Sequence, residues 1–348
     1  MKILFVSSSR SPWFESQDPA EHMKFAPYSV DAIGSRLIEL GHIVNWVGWA
    51  TAHNPFRLAR RIDDFKPDVV YTYGAMVSLH PIFCRKILCH HKAFSIVHGW
   101  DDEYGEIWNS IIGWPGKVLF SWLEKKIVTY SDYVVTLSRF LQKKGKGWGV
   151  ECFYIPNGAD IIPVEQAKGE IKLQGQFNIV YTGDKSKWKR TEDACKSMQN
   201  LPKEIKLYFT GHPASYLDKY SSENCIFLGY LTKEEQYNVM RQADAFIVTA
   251  DQDCNAKLQE YLRWHKPILA FDGRANLFFT NGRNALLAKN GDYAPLIRQL
   301  ATNPELCKAI ADNAASDLPV FSWLEIARKF ENYFKGIMGK ENDSCSMA

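Results

Sequence analysis

The sequence predicts an α/β protein of two domains, each an open parallel sheet flanked by helices. Three observations point there. A chain of 348 residues is longer than one ordinary hydrophobic core organises. Short apolar runs of strand length alternate with segments of helical periodicity, the pattern of strands joined by crossover helices. That alternation runs once, breaks over a polar stretch near 160–175, and then starts again.

In the first half the buried-strand candidates are 3–6, 43–47, 69–73, 94–97 and 133–137, with a short one at 153–155. Between the first two, Ile33, Leu37 and Leu40 share one helical face, and Gly41 ends the helix. Lys66-Pro67 stops a preceding helix before Asp68-Val-Val-Tyr71 opens a strand. Pro156-Asn-Gly-Ala-Asp160 is turn chemistry, and the aperiodic stretch through Gly175 reads as the linker. The second half offers strands at 178–182, 206–210, 225–228, 245–249 and 267–271, with helices near 191–199, 234–243 and 255–264. The expected domains are 1–160 and 176–320, followed by an amphipathic helix at 321–339 and a disordered tail at 340–348. Open parallel sheets bind ligands at the carboxyl ends of their strands, so a cleft between the two is the expected site.

Composition narrows the function. Apolar content of 46% and charged content of 23% are those of a folded globular protein. A net charge of +3 gives no electrostatic case for nucleic acid. The eight cysteines are scattered without a Cys-x-x-Cys pair, which suits reduced thiols in a cytoplasmic protein. Cys84, Cys89, His90 and His91 do cluster, but as a helix segment with a surface histidine pair rather than a metal site. The apolar run at 1–6 is too short for a signal segment, and no later run reaches spanning length, so membrane contact would be peripheral. No Gly-x-Gly-x-x-Gly follows the first strand, which disfavours a nicotinamide dehydrogenase.

Three segments of the second half suit one phosphorylated ligand. The loop 181–190 follows a strand and precedes a helix; it combines Gly183 with Lys185, Lys187, Lys189 and Arg190. Fixed cations there would stabilise a departing diphosphate, although a basic run can equally be a solvated face. In the second segment, 249–262, Asn255 is a candidate N-cap, leaving the N–H groups of Ala256, Lys257 and Leu258 to face a phosphate. Leu258 and Leu262 bury that helix, while Glu260 lies off their stripe and is free to accept ribose hydroxyls or to sit at the surface. The third segment turns after a strand at Gly229-Tyr230 and offers backbone groups to a base edge.

Taken in order, these and other motifs resemble the retaining family 4 glycosyltransferases of the GT-B fold over nearly the whole chain. Val134-Val-Thr-Leu-Ser138 followed by Tyr154-Ile-Pro-Asn-Gly158 is similar to the end of that family's first domain. Phe227-Leu-Gly-Tyr230 followed by Gln242-Ala-Asp-Ala-Phe-Ile-Val248 resembles its base-binding turn and next strand. Leu258-Gln-Glu-Tyr-Leu262 then Lys266-Pro-Ile-Leu269 resembles its ribose-binding helix, and Phe321-Ser-Trp323 the start of its last helix. The resemblance implies two Rossmann-like domains with parallel sheets facing across a cleft, the C-terminal helix returning to the N-terminal domain. It implies a nucleoside diphosphate sugar donor, UDP- or GDP-linked, with no cofactor and no metal. The acceptor hydroxyl would belong to a glycan, a lipid-linked or a small-molecule acceptor, as in cell-surface glycan or glycoconjugate synthesis.

The family's residues carry over unevenly. Glu260 takes the second acid of the Glu-x7-Glu pattern, which contacts the ribose; the first, which contacts the donor sugar, falls on Gln252, flanked by Asp251 and Asp253. Lys189 stands at the diphosphate lysine, whereas Asp184 stands where an arginine is usual. Ala26-Pro-Tyr28 replaces a glycine pair, and His265 a glycine. His98, in Ser95-Ile-Val-His-Gly-Trp-Asp-Asp-Glu103, matches a histidine beside the transferred sugar; Asp101, Asp102 and Glu103 would orient an acceptor or cap the next helix. The catalytic candidates are thus His98, Lys189, Gln252 and Asp253. The segment 108–126, mixing aromatics with lysines, would rest on a membrane or pack on its own domain. Two rivals stay open: a binding subunit without catalysis, and an epimerase or hydrolase of the same fold.

Overall fold

In the computed structural model the described residues are 1–7, 29–74, 77–159, 167–254, 256–317 and 321–345. The chain divides into two compact units, Met1–Gly158 with Ser322–Ala348, and Ala159–Phe321.

The first unit holds strands β1 (Lys2–Ser7), β2 (Ile43–Val47), β3 (Val69–Tyr73), β4 (Ser95–Trp100), β5 (Tyr133–Thr136) and β6 (Cys152–Tyr154). They form one sheet in the order β2-β1-β3-β4-β5-β6, every pair parallel. Ile3 to Val6 are fully buried, as expected of a central strand covered on both faces. Helices α1 (Ser29–Glu39), α2 (Pro55–Phe65), α3 (Tyr104–Ile112), α4 (Trp114–Tyr130) and α5 (Arg139–Gly147) connect the strands. Capping is written in the sequence. Asn54 accepts from the N–H groups of Phe56 and Arg57 ahead of Pro55 at the first turn, and Ser138 accepts from Leu141.

The C-terminal helix, Trp323–Cys345, belongs to this first unit. Its buried Ile326, Ala327, Phe330 and Phe334 share a core with Phe5 and Tyr71 of the sheet. The Tyr71 ring meets Phe330 edge-on at 5.6 Å, and His42 reaches Glu331 at 3.1 Å. Gly158 is where that helix begins to dock: a Cβ there would come within 2.5 Å of the Trp323 indole. The helix also runs through 340–345, which the sequence reading assigned to a tail. Nothing between Gly339 and Cys345 is a proline, and one glycine costs a helix only about 1 kcal/mol.

The second unit holds β7 (Phe177–Tyr181), β8 (Ile205–Thr210), β9 (Cys225–Gly229), β10 (Ala245–Val248), β11 (Ile268–Phe271) and β12 (Leu286–Ala288). The order is β12-β11-β10-β7-β8-β9, again all parallel. Helices α6 (Thr191–Met198), α7 (Lys233–Arg241) and α8 (Ala256–Leu262) follow β7, β9 and β10. A reciprocal capping box between Thr232 and Glu235 starts α7. β12 is too short to leave a periodic signature, and it escapes the sequence reading.

The stretch read as a linker is, in its described part, fastened to this unit. The Gln242 side chain accepts from Leu173 N–H at 3.1 Å and donates to Ile171 C=O at 2.8 Å, where Asn238 donates too. Side-chain amides of α7 thus replace the strand partners that the segment lacks. Both sheets are parallel and helix-flanked, as the sequence predicts.

Removing the Phe330 ring would leave a cavity between the C-terminal helix and Tyr71. Phe330→Ala is expected to lower stability by about 3–5 kcal/mol, read as a shift in the denaturant midpoint of the first unit. A loss under about 1 kcal/mol would mean that the helix is not part of that core.

Candidate functional site

In the second sheet the chain steps from β7 to β8 on one side and returns to β10 on the other. The loops leaving β7 and β10 therefore diverge from a topological switch point, where an open α/β sheet leaves a crevice. Lys189 lies in the first loop and Gln252 in the second. Lys189 Nζ donates to Gln252 Oε1 at 3.3 Å, bringing together two candidates far apart in the chain. The same ammonium stands 3.8 Å from the centre of the Trp188 ring, and the Thr249 hydroxyl donates to the Lys189 carbonyl at 2.5 Å. Both the side chain and the backbone of Lys189 are thus tied to the end of β10.

The remaining basic residues of the loop separate. Lys185 is only 4% exposed, and its Nζ donates to the Thr210 carbonyl at the end of β8. Burial pushes its ammonium down, opposed by Asp184. It is a strut between two strand ends. Lys187 is exposed, with Nζ 5.9 Å from the Tyr216 ring centre. Arg190 lies over the Phe271 ring at 3.9 Å and pairs with Asp193 at 2.9 Å. Asp184 accepts from the N–H and the hydroxyl of Ser186 and so closes the loop on itself.

Gly183 and Lys257 explain each other. Gly183 has φ +112, and a Cβ on it would sit 3.4 Å from Lys257 Cε. The Lys257 side chain crosses the glycine to pair with Glu260 Oε2, while Arg263 stands 3.5 Å from the other carboxylate oxygen. Burial opposes ionisation of Glu260, but Lys257, Arg263 and Lys233 outweigh it and hold the carboxyl below its usual range. Glu260 stays 15% exposed, an ionised acceptor one turn into a short helix. Leu258 is fully buried in the core with Tyr261, so its side chain is packing. Ala256 opens α8, and Asn255 lies outside the described residues, as do Ala26 to Tyr28. Asp253 is 3% exposed, and its neighbour Asp251 accepts from Arg274 N–H at 2.7 Å, joining the ends of β10 and β11.

At the other side of β7, Gly229 (φ +75) turns the chain out of β9, and Tyr230 is 74% exposed. His212, after β8, places its ring 5.5 Å from Tyr230. The pair makes an aromatic ledge next in the chain to Gly211, on which a Cβ would come 2.5 Å from the Gly183 carbonyl. The sequence reading missed His212, although a glycine-histidine step directly after a strand was a signal available to it.

His98 is not on a loop. β4 runs on to Trp100, so His98 is a strand residue in register with Thr72 and Val134, and it is fully buried. Its Nδ1 is 3.2 Å from the Thr72 hydroxyl, and Nε2 is 3.4 Å from the Tyr104 hydroxyl. Burial pushes its pKa down to about 3. Burial likewise pushes the Asp101 carboxyl up, against a hydrogen bond from Tyr73. Glu103 stands at the N-cap of α3 without capping it; Lys144 takes its carboxylate at 3.1 Å and that of buried Glu124 at 2.9 Å.

Among the described residues no group of three or more His, Cys, Asp or Glu is placed to hold a metal. Cys84 and Cys89 turn to the carbonyls of Pro55 and Ala59, while His90 goes to Asp63 and His91 to Pro67.

The depressed pKa of His98 means that its neutral form is the folded one. Between pH 6.5 and about 3 the unfolded chain takes up a proton that the native state refuses, costing about 1.4 kcal/mol per pH unit. The His98 ring resonances should therefore not titrate between pH 5 and 8, and His98→Gln should flatten the acid limb of the stability curve. A midpoint near 6.5 for His98 would contradict this burial.

Residues 14–161 match the family model described as Glycosyltransferase Family 4. No curated protein matches the sequence. Among solved structures, HepE of Anabaena with UDP-glucose is similar at TM-score 0.71 and 14% identity, covering 97% of this chain and 100% of its own. Sucrose-phosphate synthase of Thermosynechococcus elongatus gives TM-score 0.75 at 12% identity, over 98% and 100%. A structure described as a UDP-N-acetylglucosamine 2-epimerase of Listeria monocytogenes gives 0.59 at 11%, over 97% of each chain. Likeness at these identities is likeness of fold. The chain therefore has the GT-B fold, and its residues 14–161 carry the Glycosyltransferase Family 4 pattern.

Proposed function

We propose that the protein transfers a glycosyl unit from a nucleoside diphosphate sugar to an acceptor hydroxyl, with retention of anomeric configuration. The observation that carries this reading is the convergence of Lys189 on Gln252 at the β7/β10 switch point, with the Lys257–Glu260 ion pair in the short helix that follows β10. The terminal phosphate of a departing diphosphate gains a second negative charge, and a preorganised ammonium lowers that barrier without reorganisation. Lys189 takes this role, with Lys187 able to swing in from solvent.

Glu260 accepts the ribose hydroxyls, releasing Lys257 toward the phosphates beside Gly183, where the positive φ keeps side-chain bulk away. The ledge of Tyr230 and His212 receives the base. The second unit is thus the donor-binding domain and the first the acceptor-binding one. HepE was crystallised with UDP, with UDP-glucose, and with UDP and glucose, which makes a UDP sugar the donor to test first. His98, neutral and buried with Thr72 and Tyr104 on its two nitrogens, would meet a sugar hydroxyl only by exchanging the Tyr104 contact, and it cannot carry charge. Gln252 offers the sugar both a donor and an acceptor in place of a carboxylate. In this mechanism the leaving phosphate itself takes the acceptor proton, so no dedicated base is required.

One observation favours a second reading. Gln252 and Asp184 remove an acid and a base at the two positions where the family's chemistry is concentrated, which suits a donor-binding subunit without turnover. An epimerase of the same fold would convert donor with no acceptor at all.

The three separate in one set of assays. Lys189→Ala is expected to lower kcat by about 10²–10³-fold with little change in donor affinity. Glu260→Ala should instead raise the donor KM by about 10–100-fold. NMR of the product should show the donor's anomeric configuration. Wild-type rates in both variants would sink the assignment. Donor-induced thermal stabilisation with no turnover on any acceptor would establish the binding subunit, and acceptor-free conversion the epimerase.

A further inference from the structure

The helical pair α3–α4 of the first unit is apolar on two opposite sides. Inward, Phe120, Ile127 and Val128 are buried, and Phe120 stacks on Trp108 at 4.1 Å. Outward, Trp114, Val118 and Trp122 recur at every fourth residue and are 72%, 50% and 56% exposed. Leu119, at 50%, and the end of α3, with Ile111 at 60% and Ile112 at 53%, are exposed on the same helical pair. An apolar residue exposed alone needs no explanation; six large ones within one helical hairpin do.

The charge around this surface has one sign. Lys125 and Lys126 stand on the outer side of α4, with Lys126 Nζ 5.9 Å from the Trp122 ring and 5.2 Å from that of Tyr130. The carboxylates of the pair are spent: Glu124 is fully buried against Lys144, and Glu106 is matched by Lys117 at 2.6 Å. Tryptophan, branched aliphatics and lysine without free acid is the composition that settles in the headgroup layer of a bilayer. A second copy of the chain fits worse. A two-fold contact sets this surface against itself, bringing lysine toward lysine.

We propose that the outer face of α3–α4 seats the protein on a bilayer bearing anionic headgroups, with Trp114 and Trp122 inserted and Lys125 and Lys126 at the phosphate level. No described helix is long and apolar enough to cross a membrane, so attachment by this surface is reversible.

The protein should co-sediment with phosphatidylcholine vesicles containing phosphatidylglycerol, and far less with phosphatidylcholine alone, while its tryptophan emission moves to the blue. Trp114→Ser combined with Trp122→Ser should weaken that partition at least about tenfold, and Lys125→Glu combined with Lys126→Glu should abolish the preference for anionic vesicles. All four positions lie outside the candidate catalytic residues and the core, so thermal melting should be unchanged in both variants. Absence of vesicle binding by the wild type, or binding that the two double variants retain in full, overturns the proposal. So does a dimer in analytical ultracentrifugation that the tryptophan changes dissolve, which would make the face an interface between copies. Either failure leaves the glycosyl-transfer reading standing, because that is measured on soluble donors.

Discussion

Lys189 reaches Gln252 only because β7 and β10 are neighbours in a parallel sheet whose two faces are both covered. Such a sheet has no solvated face on which to build chemistry, and its strands are spent on apolar packing. Polar groups collect instead in the loops at the carboxyl edge, and they diverge to leave space only where strand order reverses. The rest of the second unit's candidate site follows from that constraint. Thr249 holds the Lys189 backbone, Asp251 ties β10 to β11, and Lys185 ties the β7 loop to β8.

Burial acts with opposite outcomes at the candidate residues of the two units: Glu260 is held ionised, while His98 and Asp101 are pushed toward their neutral forms. Glu260 is surrounded by Lys257, Arg263 and Lys233, and their attraction exceeds the cost of partial burial. A ligand that withdraws Lys257 would leave Arg263 as the near partner, so the site can exchange an internal ion pair for a bound phosphate. His98 and Asp101 sit in apolar surroundings that favour their neutral forms, with hydroxyl partners on Thr72, Tyr104 and Tyr73. Glu124, bonded to Lys144 and to the Trp100 indole, is a buried carboxyl that burial pushes up against the opposing pull of Lys144. Removing Lys144 would strand that group, which makes it a structural rather than a reactive acid.

The strands, the helix caps and the turn glycines were legible because each is a local rule. Apolar runs of strand length, Asn54 before Pro55, and Thr232 three residues before Glu235 need no tertiary information. The glycine at 183 was legible as a close-approach position, and its positive φ under Lys257 supplies the cause. His265 is a comparable case, since at φ +53 it fills the left-handed C-terminal position where a glycine is the usual choice. The outward face of α4 was not legible. With apolar residues on both sides of the helix, periodicity does not distinguish the side that packs from the side left in solvent.

What the sequence determined by itself is the architecture and the composition of the candidate loops: two parallel α/β units, with lysines after one strand of the second and a short helix carrying Glu260 after another. Tertiary structure decided which of those residues converge. It turned Lys185 inward to Thr210, folded Asp184 back onto Ser186, set Lys257 rather than solvent against Glu260, and drew His98 into the body of β4. The physical reason is the same in each case. Composition and spacing say which groups a loop carries, but the direction of a side chain and the charge state of its head depend on neighbours contributed by strands far away in the chain.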